Sequence, residues 1–218
     1  MQTIIVSVIC LGLLLWVEPA SAAEWRLKVS VHKDLLTSKK NLQALTKEVD
    51  SILLRASMRL KGRCSSGDVT FIRNGDVGTF TSADAPSIIK DANDLELVHR
   101  VPADVKIVKA IEYCKGNPHW VGCSFRPDET LPKTMIVNRD PPPIANARPN
   151  LWAHEFGHTT GLHHRIDQRA ALMTPCGIQS WNWRLTEEEC TCLLAGPNNG
   201  LEDCKRQDMQ PKCPFQNR

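Results

Sequence analysis

Three histidines and a glutamate packed into eleven residues carry the densest chemistry in this sequence. They lie in His154-Glu155-Phe156-Gly157-His158-Thr159-Thr160-Gly161-Leu162-His163-His164. His154 and His158 are four apart. On an α-helix that spacing puts both imidazoles on one face, close enough to share a metal ion. Glu155 follows the first histidine, where its carboxylate reaches a water on the metal rather than the metal itself. Gly161 stands three residues past His158. Glycine is the residue at which a helix stops most cheaply and the chain turns through positive φ. Such a turn swings His164 back as a third ligand. Three neutral nitrogens leave one tetrahedral position open, the layout of a catalytic zinc rather than a structural one. The plain alternative is an ordinary helix whose histidines are surface or core residues.

Other elements must hold this stretch in place. The helix starts between Asn146 and Asn150, behind Asp140-Pro141-Pro142-Pro143. Those prolines neither donate to a ladder nor extend a helix, so they form a stiff lead-in. Upstream, residues 25–31 alternate apolar and polar and read as a strand. Residues 41–57 carry an apolar stripe at 42, 45, 49, 52, 53 and 56, which reads as a helix. Residues 69–72, 106–113, 120–125 and 134–138 read as four further strands, the first ending in the turn Asn74-Gly75-Asp76. The short 120–125 run carries Gly122 and suits an edge strand. Downstream, Thr186 and Glu189 form a capping box for a helix running to about Ala195, ended at Gly196 and Pro197. Periodicity alone gives an α+β chain, with no internal repeats.

Residues 4–17 form an apolar run of fourteen, too short to span a bilayer comfortably. Glu18-Pro19 breaks it and Ala20-Ser21-Ala22 offers a cleavage site. Residues 1–22 therefore read as a signal peptide, with cleavage after Ala23 as the variant and a retained membrane anchor as the alternative. Its n-region, Met1-Gln2-Thr3, lacks Lys and Arg. Removal would take away Cys10 and leave eight cysteines: Cys64, Cys114, Cys123, Cys176, Cys190, Cys192, Cys204 and Cys213. An even count in a secreted chain implies up to four disulfides. Three precede the histidine stretch and five follow it. If all pair, at least one bridge joins the two sides. Cys114 with Cys123 closes a short loop; Cys190 and Cys192 are too close to pair with each other. The net charge of +3 becomes +4 without Glu18. It is spread along the chain and, with no basic-aromatic motif, gives no case for nucleic acid.

The pattern H-E-x-x-H-x-x-G-x-x-H, followed by Ala171-Leu172-Met173-Thr174-Pro175, resembles the metzincin metalloproteases. The nine-residue step from His164 to Met173, the Gly-Leu after the second histidine and Pro175 look most like the matrixin branch. The resemblance covers roughly residues 25–195, though its specific motif is confined to 154–175. It implies a metzincin-like twisted mixed sheet with an active-site helix over a small disulfide-rich C-terminal subdomain. The upper subdomain would span about 23–161 and the lower about 162–218, forming one catalytic domain over 23–218. It further implies one zinc on His154, His158 and His164, with Glu155 as general base and then acid in peptide-bond hydrolysis. Met173 and Pro175 would form the methionine turn, with Met173 an apolar floor. Trp120, Val121, Gly122, Cys123 and Ser124 would dock substrate backbone by strand addition; an ordinary edge strand tied by Cys123 is the alternative. Trp181 and Trp183 stand where a specificity pocket would lie, or form a structural pair.

This chain departs from the family in places. Pro175 occupies the position where some branches place a tyrosine, and Tyr113 is far upstream. Arg165 follows the third histidine, and His163 is one residue out of register, a surface or supporting group. Arg63-Cys64-Ser65 faintly echoes a cysteine-bearing propeptide, but the even cysteine count favours a disulfide for Cys64. No acidic cluster resembles a calcium loop. The expectation is a secreted, monomeric zinc endopeptidase acting on proteins or peptides, without stable membrane association. Its rivals are a silent secreted zinc-binding protein and a zinc hydrolase of non-peptide substrates.

Overall fold

The computed structural model describes residues 22–115, 121–125, 130, 132–140, 147–165, 171–174, 184–197 and 204. The chain opens with β1 (Ala23–Leu27) and β2 (Val29–His32), a single 3₁₀ turn (Lys33–Leu35), and the long helix α1 (Lys39–Leu60). Then come β3 (Val69–Arg73), β4 (Gly78–Phe80), β5 (Ile88–Ile89), α2 (Ala92–Arg100), β6 (Val105–Val108) and β7 (Ala110–Ile111). The final described elements are β8 (Gly122–Ser124), β9 (Met135–Asn138), α3 (Ala147–Thr159) and α4 (Glu187–Ala195).

The central sheet has the order β4-β2-β6-β9-β8. β4, β2, β6 and β9 are parallel; β8 alone runs antiparallel, against β9. A parallel sheet with helices on both faces hides both, so its strands read as apolar runs rather than alternations. Here β2 and β6 are buried at every position. One face, with Val29, Val31, Val105, Ile107, Met135 and Val137, packs in a core with the apolar stripe of α1 and with Leu151, Trp152 and Phe156 of α3. The other carries Val108, Ile136 and Cys123 and is covered by Leu95 and Val98 of α2.

Several local readings differ in detail. Residues 25–31 are two strands: the chain breaks at Lys28, whose N–H is held by Asp104 Oδ2 at 2.7 Å, so β1 pairs with β3 while β2 joins the main sheet. Residues 106–113 likewise split into β6 and β7, with β7 pairing β5 in a separate two-stranded sheet. The sequence of strand, helix, four strands and metal helix also lacks α2 and the short β4 and β5. Among the described residues the mixed sheet, four α-helices and disulfides make this an α+β chain. Trp120, Pro141, Pro142 and Pro143 lie outside the described residues, as do Trp181, Trp183 and residues 1–21. Among the described residues no helix is long and apolar enough to cross a membrane.

Three disulfides are described. Cys64–Cys190 joins the chain before the histidine stretch to the chain after it. Cys114–Cys123 closes the short loop before β8, and Cys192–Cys204 ties α4 to the tail. Cys176 and Cys213 lie outside the described residues. The α4 capping box forms as read: Thr186 accepts from the Glu189 N–H and Glu189 accepts from the Thr186 N–H.

Candidate metal centre

The geometry starts from how α3 ends. The Leu162 N–H donates to the Gly157 carbonyl at 3.0 Å, and the Gly161 N–H to the His158 carbonyl at 2.9 Å. That pair of bonds is a Schellman motif, and Gly161 takes the positive φ it requires, +100°. A Cβ at Gly161 would also sit 2.9 Å from the Cys204 carbonyl oxygen. Two independent constraints therefore select glycine here, and the Cys192–Cys204 bridge pins the segment that presses on it.

The turn brings His164 back over α3. The ligand nitrogens of His154, His158 and His164 all lie within 4.8 Å of one another, a group that could hold a metal ion. His158 Nε2 and His164 Nε2 are 3.0 Å apart. His154 Nδ1 faces the Leu172 carbonyl at 2.8 Å and His158 Nδ1 faces the Leu162 carbonyl at 2.7 Å. A carbonyl only accepts, so both Nδ1 atoms carry the proton and both Nε2 lone pairs are left toward the centre. Burial lowers the pKa of His154, and that of His158 further, with the charges of His154 and His164 adding to the second shift. Depressed imidazoles are neutral at pH 7, the form that ligates. The donor set thus fits a transition metal of borderline softness such as zinc.

Met173 lies beneath, wholly buried, and a Cβ on Gly157 would come 2.5 Å from its sulfur. A mid-helix glycine costs about 1 kcal/mol against alanine; here it makes room for the methionine. The Met173 carbonyl accepts from the Arg165 N–H at 2.8 Å, while the Arg165 guanidinium pairs with Glu189 at 2.8 Å. The residue after the third histidine therefore anchors that strand of chain to the α4 cap. Pro175 is outside the described residues. His163 is half-buried and is not among the converging histidines.

Glu155 is buried against β8. Its Oε2 accepts from Ser124 Oγ at 2.7 Å. Burial pushes its carboxyl up to about 7, against the Ser124 hydrogen bond and the Lys115 charge, which pull it down. A Cβ on Gly122 would lie 2.6 Å from Glu155 Cδ, so only glycine admits the carboxylate. Among the described residues β8 lies at the edge of the sheet, as its sequence suggested. That Gly122 and Ser124 face Glu155 was not read from the sequence. The usable signal was strand alternation, which puts 122 and 124 on the same side and Cys123 on the other.

No protein-family model matches the chain, and no curated protein matches it. Among solved structures, it is similar to metalloproteinase-II from Bacteroides fragilis at 14% identity and a TM-score of 0.44, over 82% of this chain and 54% of that one. A chaperone–substrate complex is matched at 13% identity and a TM-score of 0.42, over 81% of this chain and 34% of that one. The chain thus spans about half of the first and a third of the second. At that level of likeness nothing about a reaction is carried over, and the centre rests on its own geometry.

Proposed function

We propose that this chain is a secreted zinc-dependent endopeptidase of metzincin type, closest to the matrixin branch. The observation that carries the reading is the convergence of three imidazole nitrogens next in sequence to a buried glutamate. His154, His158 and His164 would hold the ion, His154 and His158 through the Nε2 atoms left by their Nδ1–carbonyl contacts. Bound there, zinc supplies a Lewis acid that activates a water and polarises the scissile carbonyl. Glu155 takes a proton from the attacking water and returns it to the leaving amine, which breaks the peptide bond without a covalent enzyme intermediate. The β8 stretch receives an extended peptide by strand addition, with Trp120 to Ser124 as the docking residues.

Three disulfides support an oxidising, extracellular setting, in line with residues 1–22 acting as a signal peptide. Residues 23–218 then form a single catalytic domain that works as a monomer on protein or peptide substrates, without nucleic acid or stable membrane contact. No calcium is needed in this reading, the disulfides serving as staples. The test is metal analysis and peptide-library cleavage by the oxidised chain from residue 23. One zinc per chain is expected, with cleavage lost to a chelator and restored by added zinc. Tight zinc binding without cleavage would point instead to a zinc-binding protein. Turnover of esters or other non-peptides alone would point to a different hydrolase.

A further inference from the structure

β8 is three residues long, and each of its side-chain positions is committed. Alternation turns Gly122 and Ser124 toward α3 and Cys123 away from it. Cys123 is 2% exposed, packs in the α2-side core with Ile136, and is bonded to Cys114. That bond and the ladder to β9, with Cys123 opposite Ile136, set where β8 sits. On the other side, Ser124 Oγ donates to Glu155 Oε2 at 2.7 Å. At Gly122 an added Cβ would stand 2.6 Å from Glu155 Cδ and 2.7 Å from its Cγ. Real Cβ contacts are never that short, so any larger residue would drive the Glu155 side chain off the strand. The rest of Glu155's helix has its own fixed place, since Phe156 is wedged on Phe71 with ring centroids 4.8 Å apart.

We infer that Ser124 and Gly122 are positioning residues for Glu155: the serine hydroxyl holds one carboxylate oxygen while the glycine provides the hollow in which the carboxylate lies. The inference rests on the reading of Glu155 as the proton-transfer group. It makes the edge strand two-sided. Its backbone would dock a substrate while its inner face aims the glutamate, so docking and proton transfer share one element. The alternative is a hydrogen bond that serves the fold alone.

Two readouts separate these. The first is steady-state cleavage of one peptide by zinc-loaded Ser124→Ala, Ser124→Thr and Gly122→Ala. Losing a hydrogen bond to a carboxylate predicts a drop in kcat of about tenfold or more for Ser124→Ala. KM and zinc stoichiometry should stay within about twofold for Ser124→Ala, because strand addition uses the β8 backbone, which this side-chain change keeps, and the three histidines are unaltered. Ser124→Thr keeps the hydroxyl and should recover most of the rate, and Gly122→Ala should lose at least as much as Ser124→Ala. The second readout needs no activity: the ¹³C shift of Glu155 Cδ in the selectively labelled, metal-free oxidised chain. It should move in Ser124→Ala and stay in Ser124→Thr. An unchanged kcat in Ser124→Ala overturns the inference, whether or not the shift moves and whatever Gly122→Ala does to folding. Should the wild-type chain cut nothing, the protease reading falls, while the carbon shift still decides whether Ser124 holds Glu155.

Discussion

The sheet buries an ionisable group on each face, and the two make an instructive pair. On the α3 side Glu155 is pushed up to about 7 by burial; on the α2 side Lys106 is pushed down to about 7 by the same cause. Both are enclosed, and each has a short-range partner. Glu155 accepts from Ser124, and the Lys106 ammonium donates to the His99 carbonyl at 3.1 Å, near the C-terminal end of α2. Their neighbours differ. Next to Glu155 three imidazole nitrogens converge within 4.8 Å of one another. Beside Lys106 there is one buried imidazole, His99, depressed by burial and by the lysine charge, with Nδ1 2.9 Å from Thr134 Oγ1 and its ring edge-on to Phe125. The α2 side is a helix end capped by a cation, a structural arrangement. A perturbed protonation equilibrium therefore does not mark a site by itself; convergence of donor atoms does.

The contrast can be broken most sharply at His158, whose ring lies 4.9 Å from that of His154 and 4.7 Å from that of His164. His158→Ala should weaken zinc binding by about a thousandfold or more and take cleavage to background, since two nitrogens do not hold the ion in a tetrahedral site. Competition against a zinc chelator of known affinity measures the first effect. Retention of tight one-to-one zinc would mean that the centre lies elsewhere.

Lys106 tests the other face. Its folded pKa of about 7 lies below the unfolded value of 10.5, so between those limits the unfolded chain binds more protons. Stability must rise with pH there, by on the order of 3 kcal/mol from pH 7 to 9.5. Lys106→Met removes that slope. Urea unfolding of the metal-free oxidised chains at both pH values should show the difference between wild type and variant shrinking as pH rises, with Asp104 and His99 common to both. Cleavage by Lys106→Met should stay within about twofold of wild type. A large loss of kcat would make the α2 side part of the machinery after all.

A smaller effect is expected at Gly161. Alanine there costs about 1–2 kcal/mol for the left-handed backbone and crowds the Cys204 carbonyl, loosening the turn that delivers His164. Zinc affinity should fall by about tenfold, less than for a lost ligand, as calorimetry would read. Smallest of all, Thr186→Ala removes the α4 cap and should lower stability by about 1 kcal/mol with kcat unchanged. Chemical denaturation and a rate assay check that pair together.

The metal side of this comparison was legible in the sequence because it is local. Two ligands at helical spacing, a glycine stop and a third ligand fall within eleven consecutive residues, and the Schellman geometry at Gly161 follows from them. The α4 cap was legible for the same reason. What holds Glu155 was not, because Ser124 is 31 residues away and meets it only through sheet–helix packing. Read alone, Gly122 and Ser124 looked like docking backbone. α2 escaped because nine residues with three buried positions give no long stripe to detect. The splits at Lys28 and between β6 and β7 reflect changes of pairing partner, and alternation along one strand carries no record of its neighbours.

The central claim is that zinc on the three histidines and proton transfer by Glu155 together cut peptide bonds. The most direct measurement compares the oxidised wild-type chain with Glu155→Gln, each loaded with zinc and given the same peptide library, with products read by mass spectrometry. The account predicts one zinc per chain in both, and cleavage at least about a hundredfold slower in the variant, the scale of a lost general base. Equal cleavage by the two proteins, or a zinc-loaded wild type that leaves every peptide intact, would contradict it.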